Sequence, residues 1–245
     1  MVEGVFAWPE NKRLALSISL DDARASQVEV GLPLLQELGV KATFYVVPSA
    51  VEKKLDAWRA VAAAGHEIGN HSVNHPCSGN FAFARHKALE SYTLEKMEEE
   101  LLECNRLVHD LLGVVPRTFA YPCGSTFVGR GADTRSYVPL VAKHFLSGRL
   151  FLSEWHNTPE VVDLAQLQGR AADNITFDTF RQWAEIAREE SGWLVLVGHD
   201  IGDGLRPQTV STHVLRQICT YALDPANEIW LDTVEQVAWH LKQSG

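Results

Sequence analysis

Apolar residues along this chain follow two rhythms. Short, nearly continuous runs rich in β-branched and aromatic residues occur at Leu14 to Leu20, Ala42 to Val47, His66 to Gly69, Thr118 to Tyr121, Trp193 to Gly198 and Glu228 to Leu231. Such runs read as strands covered on both faces. Between them, apolar residues return every three or four positions, the spacing of one helix face. Gln27 to Leu38 reads as a helix closed by Gly39, and Val51 to Ala64 as one closed by Gly65; each glycine suits the left-handed position just past a helix end. The longest pattern runs from Ser91 to Leu112, with Leu94, Met97, Leu101, Cys104, Val108 and Leu111 on one stripe and Gly113 as terminator. Its acidic run, Glu98 to Glu100, reads as a solvated face. This alternation predicts an α/β chain built on a parallel sheet. There, the loops leaving the C-terminal strand ends build the site, which singles out the irregular stretches Pro76 to Ala88 and Cys123 to Tyr137. His144 to Asp173 shows no clear period.

Length and charge narrow the picture. One large α/β core accommodates 245 residues, so residues 1–245 are expected to form a single domain. With 22 basic against 31 acidic residues the net charge is −9, which argues against nucleic acid or an anionic membrane surface as partner. No apolar run approaches the roughly 18 residues of a membrane span. Glu3, Glu10, Lys12 and Arg13 interrupt the stretch where an export signal would be apolar, so a cytoplasmic location is expected. Cys77, Cys104, Cys123 and Cys219 contain no CxxC pair, so reduced thiols are expected rather than a zinc knuckle or a disulfide framework.

Three features could carry chemistry. Asp21 and Asp22 are adjacent carboxylates where the first strand ends, a juxtaposition that repels unless something uses it; a turn cap is the plain alternative. His71 and His75 follow the third strand four residues apart, a spacing that on a helical turn lets two imidazoles share one metal ion; two surface histidines are the alternative. His199, with Asp200, closes the apolar strand ending at Gly198, where a structural histidine is the commoner case. Each alone is weak. Together they stand at the C-terminal ends of parallel strands, which a barrel brings to one place.

With these residues in view, the chain resembles the polysaccharide deacetylases of carbohydrate esterase family 4, over Leu14 to Val237. The family's first motif, usually TFDDG, is matched by Ser19 to Ala23, and its HSxxH motif stands intact at His71 to His75. GHEIGNH at Gly65 to His71 and KATFYVV at Lys41 to Val47 also look like family segments. The third motif, often FRPPYG, is here Phe119 to Gly124, and the final histidine-closed strand matches Leu194 to His199.

The resemblance implies a distorted (β/α)7-type barrel and metal-dependent hydrolysis of an acetyl group. It makes Asp22, His71 and His75 ligands of one divalent metal ion, zinc by default, with cobalt, nickel or manganese fitting the same donors. Asp21 would be the general base and His199 the general acid. The backbone N–H of Cys123 would meet the oxyanion, and Tyr121, Pro122 and Trp155 would contact substrate. Cys123 as a nucleophile is the rival reading, and no paired base supports it. Two departures matter. Ala23 replaces the usual glycine, which suggests a turn without positive φ. Ala120 replaces the arginine that in many relatives orients the base, and Arg170 is expected to supply that guanidinium instead. The family's fourth motif, an Asp and a Trp, has no secure match, and Trp183 reads as core by its spacing from Phe180. The implied substrate is an acetylated saccharide, N-acetyl rather than O-acetyl. A small amide, as in allantoinase-like or deformylating relatives, and a non-catalytic saccharide binder are the alternatives.

Overall fold

The computed structural model describes residues 6–204 and 206–244. Its main sheet contains β1 (Leu14–Asp21), β2 (Thr43–Val46), β3 (Glu67–Asn70), β4 (Thr118–Ala120), β5 (Ser147–Arg149), β6 (Arg170–Ala171), β7 (Trp193–Gly198) and β8 (Ile229–Leu231). The order is β5-β4-β3-β2-β1-β7-β6, with β8 also paired to β1, and every pairing is parallel. The longer helices α1 (Leu32–Glu37), α2 (Leu55–Ala63), α3 (Leu94–Leu112), α4 (Val138–His144), α5 (Phe177–Glu189) and α6 (Thr212–Leu223) lie between strands, and α7 (Val234–Ser244) follows β8. The curved sheet closes through one residue rather than a strand pair. Leu167 donates its N–H to Gly148 O at 2.8 Å, and its carbonyl accepts from Leu150 N–H at 2.8 Å. The single-domain α/β barrel expected from the sequence is thus the one observed.

Strand alternation divides the side chains into two populations. On β1, Leu14, Leu16, Ile18 and Leu20 point out into the core shared with the helices. Ala15, Ser17, Ser19 and Asp21 face the barrel interior, where a narrow cross-section favours small side chains. The interior is polar, and several of its groups are paired. Trp193 Nε1–H donates to Ser17 Oγ at 3.0 Å. At its floor Glu67 accepts from Thr43 Oγ1 at 2.7 Å and from the Glu235 N–H at 2.8 Å, and burial pushes its carboxyl up to about 7. Arg149 and Asp21 occupy the top of this column.

The six strands read from the sequence are observed, with ends shifted by no more than one residue. β5 and β6 fall in the stretch without a period: they are three and two residues long, and the inward positions Ser147 and Arg149 are polar. The helix read over Gln27 to Leu38 begins as a π-turn over Gln27–Gly31 before α1. Pro33, in the first turn of α1, has no N–H to donate back to residue 29, which accounts for the irregular start. The expectation of reduced thiols fails for two of the four cysteines. Cys77 and Cys123 form a disulfide, while Cys104 and Cys219 are free and buried. The two partners sit in the loops after β3 and β4, which are neighbours only once the sheet has formed.

Gly148 packs where the barrel closes. A Cβ there would meet Ala165 O at 2.8 Å and the Val141 and Tyr121 side chains at 2.6 and 2.8 Å. Gly148→Ala is expected to lower stability by about 1–3 kcal/mol, measured by urea unfolding.

Candidate active site

Asp21 ends β1 inside the barrel, and the chain turns sharply behind it. Asp22 and Ala23 have φ of 76° and 53°. The absence of glycine therefore did not mean an ordinary turn: Ala23 takes the left-handed conformation despite its Cβ, and the reversal aims the Asp22 carboxylate back over the barrel. His71 follows β3, its N–H bonded to Val46 O at 3.2 Å. The two histidines do not lie on a helical turn. They converge through an irregular loop, with Ser72 at φ 61° and His75 at φ 49°. That loop is held from within by Ser72 Oγ, which accepts from His75 N–H at 3.0 Å. From outside, the Glu100 carboxylate accepts the N–H groups of Val73 and Asn74, both at 3.1 Å, and Tyr92 O–H donates to it at 2.8 Å. Glu100 is buried, so the acidic run of α3 is not a uniformly solvated face.

Donor atoms of Asp22, His71 and His75 all lie within 4.8 Å of one another. Asp22 Oδ1 is 3.5 Å from His71 Nε2 and 3.4 Å from His75 Nε2. His71 Nδ1–H donates to Ala120 O at 2.9 Å, which fixes the tautomer and leaves Nε2 as a free donor atom. Burial, and then the neighbouring His71, hold the His75 imidazolium down to about 4, so the ring is neutral near pH 7. Burial alone would raise the Asp22 carboxyl. The hydrogen bond and charge of His71, the charge of His75 and the Arg24 guanidinium instead hold it well below the usual carboxylate range. One carboxylate and two imidazoles whose Nε2 atoms face it, the His71 ring held by the Ala120 carbonyl, are a fitting donor set for a divalent cation.

Arg24 donates to the far oxygen of Asp22 at 2.9 Å and to Asp200 Oδ2 at 2.7 Å. Asp200 is thus turned away from His199. Gln27 ties the two central strands together: its amide donates to Asp21 O at 2.6 Å and His199 O at 2.8 Å.

Asp21 is flanked by an arginine that the sequence reading did not choose. Arg149 Nη2 bonds Asp21 Oδ1, its Nη1 donates to Leu150 O at 2.9 Å, and its face lies over the Tyr45 ring, 4.9 Å from the centroid. In the sheet register Arg149 stands opposite Ala120. Arg170 is elsewhere, its guanidinium 3.8 Å over the Trp183 ring, and the expectation that it orients Asp21 is corrected. Across the cavity His199 is gripped twice by Asp173, which accepts from Nδ1–H at 2.6 Å and from the backbone N–H at 3.0 Å. Burial would depress the His199 imidazolium, but Asp173 and the charges of Asp21 and Asp22 raise it overall.

These groups line a cavity of about 610 Å³, together with Cys123 and an apolar rim of Phe81, Phe83, Phe151 and Leu152. Three residues expected at the substrate are placed differently. Tyr121 is fully buried with its O–H on Ala165 O at 2.8 Å, Pro122 is buried at the start of a turn, and Trp155 is exposed against His156 outside the cavity lining.

A family model for polysaccharide deacetylases matches residues 9–138, more than half of the chain. The chain belongs to the polysaccharide deacetylase family. Chitin deacetylase 1 of Cryptococcus neoformans is 32% identical to it over 191 residues, 75% of this chain and 36% of that protein. Two solved structures share the fold. Puue allantoinase superposes with a TM-score of 0.64 at 16% identity, covering 96% of this chain and 92% of its own. A family 4 acetyl xylan esterase from Clostridium thermocellum, in complex with a cobalt ion, gives 0.58 at 18% identity, covering 94% and 92%. The chain spans only 4% to 36% of the length of the curated relatives it matches.

Within this polysaccharide deacetylase family member, Arg149, Asp173 and Glu100 are the site residues that sequence reasoning missed. Arg149 and Asp173 sit in the stretch without periodicity. Glu100 had a signal: it lies three residues after Met97 and four before Cys104, on the buried stripe of α3.

Removing Arg149 would leave the buried Asp21 carboxylate unpaired. Arg149→Ala is therefore expected to cost about 3 kcal/mol or more of stability, read by thermal and urea unfolding. Because the raised His199 titration depends on Asp173, protonated His199 should be lost at lower pH in Asp173→Asn. The alkaline limb of the pH–kcat/KM profile should move down in that variant.

Proposed function

We propose that this chain is a metal-dependent deacetylase that hydrolyses an N-acetyl group on a saccharide. One observation carries the reading. A His, His, Asp donor set, a carboxylate held by arginine and an imidazole held by carboxylate all face one cavity at the C-terminal strand ends. The match to the polysaccharide deacetylase family and the similarity to a fungal chitin deacetylase support saccharide as the substrate class. Asp22, His71 and His75 would hold the ion, with zinc the default for this donor set. When bound, it polarises the amide carbonyl and lowers the pKa of a water molecule.

The chain's own residues supply the rest. Arg149 fixes Asp21 Oδ1, which leaves Oδ2 to take a proton from the attacking water. The Cys123 N–H follows Pro122 at the cavity wall and donates to the oxyanion as the carbonyl carbon becomes tetrahedral. His199 enters protonated, kept so by Asp173, and gives its proton to the departing nitrogen as the C–N bond breaks. Acetate and a free amine result. Phe81 and Phe83, exposed at the rim with ring centroids 5.6 Å apart, offer apolar faces on which a sugar ring can stack.

The test is metal content of the purified protein, followed by acetate release from acetylated chito-oligosaccharides before and after chelation. One ion per chain and loss of release on chelation are expected, with release restored by zinc or cobalt. Asp21→Asn should lower kcat by about 10²-fold or more while keeping the ion. Turnover of small amides without acetate release from saccharides would replace the substrate class. Ligand retention without any product would replace the enzymatic reading.

A further inference from the structure

The Cys77–Cys123 disulfide lies inside the site rather than in the body of the fold. Cys77 comes two residues after His75, and its sulfur is 3.6 Å from His75 Nδ1, the nitrogen turned away from Asp22. Cys123 carries the backbone N–H assigned above to the oxyanion. The bond joins the loop after β3 to the loop after β4, across 6.1 Å between Cα atoms and 46 residues of chain. The other two cysteines are free and buried, so this is the one covalent link between these loops among the described residues.

The loop it ends in has an unusual backbone. Cys123 has φ of 54°, in the left-handed region that a residue with a Cβ adopts at a cost. The neighbouring N–H groups are all used: Tyr121 bonds Arg149 O at 2.9 Å, Gly124 bonds Tyr121 O at 2.9 Å and Ser125 bonds Pro122 O at 3.1 Å. Cys123 N–H takes no acceptor among the described residues, although Cys123 lines the cavity. A left-handed residue with a free N–H persists when its surroundings over-determine it, and here its side chain is tied covalently to the histidine loop.

We propose that this disulfide is a thiol-reversible clamp: it sets the oxyanion donor against the metal-binding histidines, and its reduction lowers turnover without releasing the ion. The kinetic part rests on the deacetylase reading. In the chemical step, a dithiol attacks the sulfur of Cys123, a residue of the cavity lining, while Cys77 is fully buried. The S–S bond breaks, and the dithiol closes its own disulfide. Two electrons and two protons pass to the protein, leaving Cys77 and Cys123 as thiols. Cys123 is then free to relax toward negative φ, which turns its N–H. The Asp22, His71 and His75 donors are untouched.

The experiment compares air-purified, metal-loaded protein with the same protein reduced by a phosphine, which takes its oxygen from water and spares the ion. Alkylation of denatured protein should label two cysteines before reduction and four after. On reduction kcat should fall about tenfold or more, with KM and metal content unchanged, and should return on reoxidation. Hydrogen exchange over residues 121–126 should quicken in the reduced form. The Cys77→Ser, Cys123→Ser variant should match the reduced wild type and ignore phosphine; Cys77→Ala serves if the double variant does not fold. Four labelled cysteines without reductant, or unchanged kcat and exchange after reduction, overturns the clamp. If the oxidised, metal-loaded protein turns over no substrate, the deacetylase reading has failed, and the exchange comparison alone decides the clamp.

Discussion

The arrangement turns on a guanidinium with no accessible surface. Arg149 sits at the top of the barrel interior, on the strand that closes the sheet, and its partner is Asp21 at the end of the central strand. A buried charge without a partner costs several kcal/mol, so neither residue is tolerable without the other. The pair therefore fixes the position of β5 against β1, two strands on opposite sides of the ring. Ala120, opposite Arg149 in the register, contributes only a methyl group beside it. The site and the closure of the fold share one interaction.

Around that pair, each side chain that faces the cavity is held by a neighbour behind it. Asp173 holds His199, Arg24 holds the second oxygen of Asp22, the Ala120 carbonyl holds His71, and Glu100 holds the loop between the histidines. Burial and the charges packed around the cavity drive titrations apart. Asp22 is pushed toward the anion and His75 toward the neutral ring, while His199 is pushed toward the cation. Groups separated in this way can donate and accept protons at one pH without exchanging roles.

How much of this was legible in the sequence followed from strand length. β1 and β7 are eight and six residues, continuously buried, and their apolar runs marked where Asp21, Asp22 and His199 would stand. β5 and β6 are too short to show alternation, so Arg149 and Asp173 had no pattern to place them. Arg170 was chosen for its charge, but the strand aims it at Trp183. Glu100 was hidden by neighbours of its own type. The disulfide was unreadable because its halves meet only after strands β3 and β4 pair. The strain at Ala23 left no trace, since alanine is ordinary in most turns.

Residues 14–16 of β1 run beside residues 229–231 of β8. The first and last strands of the barrel therefore lie side by side at the end away from the cavity, roughly 20 Å from Asp21 at the usual rise per strand residue. Chain entering β1 and chain leaving α7 depart from this common base. A tether or a neighbouring module joined at either side would hold the protein from behind, with the mouth of the cavity turned outward.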